Sequence, residues 1–340
     1  MQARLAGVIV LLSLGPATTN AQEESMSVSD PRTAEASALM LSFARRTGLD
    51  SDRPPRRYLW TDAFAVCNFL GLARESGEQR YTELALRLGD QVHQVLGRHR
   101  DDDPRSGWIS GLSAREGEAH PTRGGLRIGK RLPERGADEP FDERLEWERD
   151  GQYFHYLSKW MHALDQVSRS TGDPRFNVWG RELAATAHDA FTYLPAPDRI
   201  PRMYWKMSID LGRALVPSMG QHDPLDGYIT AVQLGATASG LPQPIGGPDL
   251  KEATRRFAEM TEGAELASPD PLGIGGFLVD AYRVAQLVEQ DGSMDEDLLE
   301  HLLAAAHVGL EHYARSGELG DRLNTGLPFG SWGWRSGCTL

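Results

Sequence analysis

The feature of this sequence that most constrains its fold is a helix–turn–helix unit that occurs twice in clear form. Residues 76–81 are Ser-Gly-Glu-Gln-Arg-Tyr, residues 171–176 are Thr-Gly-Asp-Pro-Arg-Phe, and a helical pattern of apolar residues flanks each segment on both sides. Glycine favours the position after a helix, and an acidic residue favours the start of the next one. The unit therefore predicts antiparallel helix pairs in which the aromatic residue packs back against the pair.

Helical patterns extend along most of the chain, whereas the alternation typical of strands is scarce. The predicted helices are Thr33–Thr47, Leu59–Ser76, Arg80–Gly97, Gly151–Thr171, Arg175–Phe191, Leu225–Ser239, Asp249–Thr261, Gly273–Glu289 and Asp295–Arg315. The first helix of each pair is the more apolar, so we expect inner helices covered by outer ones. The predicted fold class is all-α, an α/α toroid of antiparallel helix hairpins.

Charge and composition narrow the class of protein. The chain has 340 residues and a net charge of −12, which argues against binding to nucleic acid because such binding needs a basic surface. The hydrophobic fraction of 40% is that of a soluble globular protein. Because the helix pairs are spread along the chain, we expect one toroid domain over residues 33–340, with a long loop insertion at residues 98–149.

The N-terminal residues 1–21 have the pattern of a secretory signal peptide, with Arg4, a short apolar run and small residues before a cleavage point after Ala21. The pattern predicts a secreted or periplasmic protein, with residues 22–32 as a flexible segment. If Met26 is the true start, the protein is cytoplasmic instead. The apolar run is too short to span a bilayer, and we expect no membrane anchor in the mature chain.

Motifs for metals and cofactors are missing from the sequence. Cys67 lies in an apolar helical pattern and Cys338 near the end of the chain, so no zinc spacing is present. Residues 124–131 resemble a phosphate-binding loop, but no Ser or Thr follows the lysine and no strand precedes the loop. The spacing of His222, Asp223 and Asp226 is not specific for a cation. We therefore predict no metal ion and no cofactor.

The long segment between residues 98 and 149 has little helical pattern, yet it contains aromatic and aliphatic residues that a disordered linker would lack. We expect an ordered excursion across one mouth of the toroid. Its arginines and lysines predict a locally positive loop in an acidic protein; they are Arg123, Arg127, Lys130, Arg131 and Arg135.

The helix–[Ser/Thr]-Gly-[Asp/Glu]-x-Arg-[Tyr/Phe]–helix unit resembles the hairpin of the six-hairpin, or (α/α)6-barrel, glycosidase-like superfamily. It is also similar to the N-acylglucosamine 2-epimerase barrel. The resemblance covers roughly residues 33–315 and implies a toroid, although it specifies packing and not chemistry. A closed ring of six hairpins has twelve helices, so the nine predicted here indicate an incomplete ring.

Three aspartates just before or within the first turn of inner helices are the candidate catalytic carboxylates: Asp62, Asp150 and Asp226. Two carboxyl groups can act as general acid and base in glycoside hydrolysis. Asp150 is favoured because Glu146 and Glu148 stand close to it in sequence, and crowded carboxylates raise one another's pKa. The alternative is that each aspartate caps its helix, a position that Asp prefers.

His155 is a further catalytic candidate, because it shares a helix face with Gln152 and Lys159 and could move protons. A satisfied core histidine is the alternative. Aromatic and polar residues near the inner-helix starts and in the long loop are the candidate substrate-binding residues: Trp60, Trp108, Trp147, Tyr153, Tyr204, Lys206, His222 and Tyr228. Lys206 with Arg202 could bind an acidic sugar, or both could be cations packed between helices.

These residues favour a carbohydrate-active enzyme, a glycoside hydrolase with paired carboxylates as acid and base. One alternative is a sugar epimerase or isomerase that uses His155 as a base. The other is a non-catalytic toroid that binds a saccharide or a protein.

Overall fold

The computed structural model describes residues 30–196, 199–218, 220–242, 245–264 and 266–316, except for the side chain of residue 291. The predicted signal peptide and Cys338 lie outside the described residues. The helices are α1 (Pro31–Arg46), α2 (Leu59–Ser76), α3 (Gln79–Leu96), α4 (Ala114–Ala119), α5 (Glu143–Glu148), α6 (Phe154–Thr171), α7 (Pro174–Phe191), α8 (Asp223–Gly240), α9 (Lys251–Thr261), α10 (Pro271–Asp291) and α11 (Glu296–Arg315).

The predicted all-α class is confirmed, and the ends of the long helices agree with the sequence patterns to within about three residues. α2 and α6 end at Gly77 and Gly172, whose φ angles of 71° and 73° lie in the left-handed region that favours glycine. Asp173 then accepts a hydrogen bond from the Arg175 amide at the start of α7. The aromatic residues of the unit, Tyr81 and Phe176, are buried as expected.

The chain divides into two compact units, and the boundary in the sequence lies between Glu262 and Gly263. In the first unit α2, α6 and α8 lie side by side, and α3, α7 and α9 each pack against the helix that precedes them in the chain. α6 and α8 run parallel, because Lys159 contacts Asp226 near the helix starts and His162 contacts Gln233 further along. The unit therefore has two helix layers. The closed toroid and the single domain remain predictions.

The core of the first unit fills the space between these layers. Leu88, Leu157, Trp160 and Leu183 are almost completely buried, and each comes from a helix face with three- and four-residue spacing. The α1 helix packs on α2. It begins at Pro31, two residues before the predicted start, with Asp30 as its cap.

The segment from residue 98 to residue 149 is ordered in the structure, as the sequence predicted, and contains the two short helices α4 and α5. Five short strands follow or flank it: β1 (Gln152–Tyr153), β2 (Thr192–Tyr193), β3 (Arg202–Met203), β4 (Lys206–Met207) and β5 (Ala214–Val216). β1, β4 and β5 form one antiparallel sheet, and β2 pairs with β3. Strands of two or three residues are too short to produce a visible alternation in the sequence.

In the second unit α10 and α11 pack against each other as a pair. Phe277, Ala281, Leu302 and Ala306 are buried. Asp270 caps α10 through the Gly273 amide. None of the helices among the described residues combines the length and the apolar character that a bilayer crossing requires.

Candidate functional site

The starts of α2, α6 and α8 meet at one end of the first unit. The ring centroids of Trp60 and His155 are 5.8 Å apart, and His155 Nδ1 is 4.0 Å from Asp223 Oδ1. Sequence reasoning predicted that acidic and aromatic residues at inner-helix starts converge, and these three helices do bring such residues together. Three positive helix ends also face this region, and the protein's own carboxyl groups Asp62, Asp223 and Asp226 already lie in the first turns of α2 and α8.

Six rings surround the junction of the three helix starts, and we call them the aromatic cluster: Trp60, Trp147, Tyr153, His155, Tyr156 and Trp205. Neighbouring centroids are 4.9 to 6.1 Å apart. Trp147 comes from α5, and Tyr153 and Trp205 are held by the β1–β4–β5 sheet region. Four of the rings, those other than Tyr153 and Trp205, are only half-buried, so the cluster presents ring surface to solvent.

Asp223 is the carboxyl group closest to His155 in this site. It is 4% exposed, and its Oδ2 has no hydrogen-bond partner among the described residues. Burial raises the pKa of Asp223 to about 7, and the neighbouring charge of Asp226 acts in the same direction. The side chain is therefore a carboxylic acid over much of the range below neutral pH.

His155 is neutral in the same range, because burial and the charge of Lys159 lower its pKa to about 3. Its Nδ1 is buried without a hydrogen-bond partner in the described part of the chain. The 4.0 Å between His155 Nδ1 and Asp223 Oδ1 is too long for a direct hydrogen bond, so the two groups would have to exchange a proton through a bound molecule between them. The predicted proton-shuttle residue thus lies beside an acid, and not in a satisfied core position.

Asp226 lies one turn after Asp223, and two side chains of α6 bind it. Its Oδ2 accepts hydrogen bonds from Lys159 Nζ at 2.8 Å and from Ser158 Oγ. The two aspartates therefore differ in surroundings: Asp226 is ion-paired, whereas Asp223 is desolvated with one oxygen unpartnered. Neighbouring carboxyl groups with such different environments are a common source of acid and base in one site.

Asp62 lies in the first turn of α2 and binds the backbone just before it. Its Oδ2 accepts a hydrogen bond from the Tyr58 amide at 2.9 Å, and its Oδ1 is 3.8 Å from Arg57 Nη1. Both side chains are buried, and Asp62 Oδ1 has no hydrogen-bond partner among the described residues. Burial raises the pKa of Asp62 to about 6, and Arg57 partly opposes this effect. Asp62 therefore resembles Asp223 in burial and raised pKa, but it has a buried arginine close to its unpartnered oxygen.

Asp150 has two arginines and two backbone amides as direct partners. Its Oδ2 accepts hydrogen bonds from Arg127 at 2.6 Å and Arg100 at 3.3 Å. Its Oδ1 accepts hydrogen bonds from the amides of Gly129 and Gly151. This fully buried carboxylate ties the 98–149 segment to the chain just before α6.

Lys206 is also structural. Its Nζ donates to Glu146 Oε1 and to the carbonyl oxygens of Glu146 and Arg149, at 2.7 to 2.9 Å. These bonds use all three donors of the ammonium group, so Lys206 has none for a sugar carboxylate. The site role predicted for Lys206 is therefore wrong.

Several cations of the long segment have partners within the protein. Arg123 pairs with Glu182, and Arg135 with Glu146. Lys130 donates to the carbonyl oxygen of Trp147, whereas Arg131 is exposed. Part of the predicted positive charge is therefore matched by carboxylates of the protein.

The other predicted binding residues divide between the site and its surroundings. His222 directly precedes Asp223 at the start of α8 and is half-buried. Tyr228, further along α8, packs against the core, and Tyr204 stacks on Tyr193 with centroids 4.4 Å apart. Trp108 is buried beneath Arg98, whose guanidinium is 4.5 Å from the ring centroid. Trp108 and Tyr204 are therefore not part of the aromatic cluster.

Tyr156 and Trp205 were not among the predicted site residues, and Asp223 and Lys159 were noted in the sequence without a site role. Asp223 was considered only as a neighbour of Asp226, although Pro224 at the next position is a helix-start signal that places Asp223 at the beginning of α8. Lys159 lies four residues after His155, a spacing that places both side chains on one face of α6.

Two clefts among the described residues lie apart from the aromatic cluster. One, of about 460 Å³, is lined by Arg123, Glu182 and Thr186 among others, and a second, of about 360 Å³, by Arg105 and Glu134 among others. In both clefts the charged groups are bonded to one another. Within the described ranges no three His, Cys, Asp or Glu side chains are grouped in a way that could hold a metal ion.

No protein-family model matches the sequence, and no curated protein is significantly similar to it.

Proposed function

We propose that the protein is a carbohydrate-active enzyme, a glycoside hydrolase whose active site is the junction of α2, α6 and α8. The observation that carries the proposal is Asp223, a buried carboxyl with a pKa raised to about 7 beside a half-exposed aromatic cluster. A general acid for glycosidic oxygen must be protonated near neutral pH, and aromatic rings are common platforms for the apolar faces of sugars.

In this proposal Asp223 protonates the leaving oxygen and Asp226 is the ionised partner that acts on water. Lys159 and Ser158 hold the Asp226 side chain in place. Trp60 and the rings beside it provide the stacking surface. Asp226 is the one predicted carboxylate that shares the first turn of α8 with Asp223, and for this reason it keeps a catalytic role in the proposal.

The proposal extends to architecture and compartment. The two helix layers of the first unit support a six-hairpin type of toroid, and the pattern of residues 1–21 supports export of the mature enzyme. Secretion of a chain that begins at Gln22 is the outcome we expect.

The test is turnover of a panel of oligosaccharides by the purified mature protein, with release of reducing ends measured. Asp223→Asn should reduce turnover by about a hundredfold or more, because the amide cannot donate the acid proton. Wild-type turnover should also fall as the pH rises past about 7, where Asp223 loses its proton.

The matched control is Asp189→Asn, the same chemical change at a position whose side chain is 80% exposed on α7. This control should keep wild-type turnover. Unchanged turnover in Asp223→Asn would remove Asp223 as the acid, and absence of turnover across the panel would argue against a hydrolase.

The proximity of His155 to Asp223 favours a second candidate, a sugar epimerase or isomerase. The Nδ1 of His155 is unpartnered and could accept a proton from carbon next to a carbonyl group once a bound sugar raises its pKa from about 3 toward the working pH. Isomer formation without release of reducing ends, abolished by His155→Gln, would select this candidate over the hydrolase.

A further inference from the structure

Three lysines lie close to residues of the aromatic cluster, and each already has protein partners. Lys206 Nζ lies 5.3 Å from the ring centroid of Tyr153 and is bound to Glu146. Lys130 donates to the Trp147 carbonyl oxygen, and Lys159 is paired with Asp226. A negatively charged ligand at these rings would therefore compete with the protein for each ammonium group.

The carboxyl groups at the same junction would repel a negative ligand. Asp223 and Asp226 both lie in the first turn of α8 beside the cluster. The charged and titratable groups that face Asp223 are His155 and Lys159 from α6, and His222 and Asp226 from α8. Lys159 is the lysine among them, and its charge is matched by Asp226.

From this geometry we infer that the site takes an uncharged sugar ring and excludes one that carries a carboxylate. The inference rests on the proposed function, because it names the substrate class of that same site. It also differs from the expectation of an acidic sugar, which rested on Lys206 together with Arg202, because the Lys206 ammonium group is bound within the protein.

The exclusion should depend on pH, because Asp223 changes charge near neutral pH while a uronate remains ionised. Below about pH 7 the Asp223 carboxyl is protonated and repels a uronate less; above it, the side chain is negative. Salt should reduce this repulsion only in part, because a buried charge is screened less than an exposed one even when the Debye length falls from about 10 Å at 0.1 M to about 3 Å at 1 M.

The experiment uses matched pairs of oligosaccharides: fragments of β-1,4-glucan, α-1,4-glucan, β-1,4-mannan and β-1,4-galactan, each with its C6-oxidised uronate form. Binding to the mature protein is followed by tryptophan fluorescence, which reports on Trp60, Trp147 and Trp205. We expect the neutral member of the bound pair to bind at least about tenfold more tightly at pH 8 and low salt. The difference should shrink at pH 5.5, and again at pH 8 in 1 M NaCl.

Asp223→Asn should show the smaller difference at pH 8 as well, and thermal melting checks that the variant is folded. The salt comparison uses the wild-type protein, so the inference can be tested even if the variant does not fold. Equal or tighter binding of the uronate at pH 8 would overturn the inference.

The outcomes separate the inference from the proposed function. Tight binding of neutral sugars without turnover would overturn the hydrolase and leave the substrate class in place. Turnover of uronates in preference to neutral sugars would overturn the substrate class and leave the hydrolase in place. Neither binding nor turnover across all pairs would overturn both.

Discussion

Asp150, which precedes α6, and Asp223, the first residue of α8, are both buried, yet their side chains have very different partners. Two arginines and two backbone amides bind Asp150 and make it a structural anion. Asp223 has an unpartnered oxygen, and burial raises its pKa. At the scale of single residues, the partners of a carboxyl group decide what it can do.

The structural role of Asp150 can be tested by Asp150→Asn. The variant leaves Arg127 buried without its anion, and breaking a buried ion pair in this way typically costs about 3 to 5 kcal/mol. Urea unfolding should show a loss of this size. The control Asp102→Asn removes another carboxylate bound to Arg100, but one with a 56% exposed side chain, and should cost less than about 1 kcal/mol. Equal costs for the two variants would contradict the assignment.

At the scale of elements, the turn that joins α6 to α7 shows how a local signal determines a helix end. Gly172 has a φ of 73°, and its amide bonds to the Ser168 carbonyl oxygen. A Cβ atom at Gly172 would meet nothing within 4 Å, so backbone conformation alone requires glycine here. The same reasoning applies to Gly77 at the end of α2.

Gly172→Ala should therefore destabilise the protein by about 1 kcal/mol, because alanine is strained in the left-handed region. Gly235→Ala is the matched control, since Gly235 is inside α8 and an added Cβ also meets nothing within 4 Å. There the change should stabilise the protein by about 0.5 to 1 kcal/mol. Thermal melting of the two variants should move in opposite directions, and a common direction would refute the explanation.

At the scale of the whole molecule, four buried groups of the first unit make opposing contributions to stability. Burial lowers the pKa values of His93 and His155 to about 3 and raises those of Asp62 and Asp223 to about 6 and 7. Between about pH 4.5 and 6, unfolding binds two protons at the histidines and releases two from the aspartates. These four contributions to the slope of stability against pH nearly cancel.

Replacing one of these four side chains should make the free energy of unfolding depend more strongly on pH, because its contribution no longer cancels the others. In Asp223→Asn one proton release is lost, so the free energy of unfolding should rise with pH by up to about 1.4 kcal/mol per unit relative to wild type. In His93→Gln one proton uptake is lost, and the relative slope should have the opposite sign. Urea unfolding at pH 4.5, 5.25 and 6 measures both slopes, and parallel curves for all three proteins would contradict the pKa shifts.

Much of the element structure was predictable because its causes are local. Helix periodicity, Gly77 and Gly172 at helix ends, and Asp173 before α7 act within a few residues of one another. The convergence of inner-helix starts was also expected from the pairing of helices. The short strands were not predictable, because their hydrogen bonds join segments up to about fifty residues apart.

The sequence by itself determined the all-α class, the helix ends and the region where a site would form. Tertiary structure decided the roles of the individual aspartates, because capping, ion pairing and desolvation depend on groups distant in sequence. Arg127 reaches Asp150 from 23 residues away, and Lys159 reaches Asp226 from 67. Asp223 keeps one oxygen without a hydrogen-bond partner, lies beside His155, and has its pKa raised by burial. For this reason Asp223 is the acid that we propose.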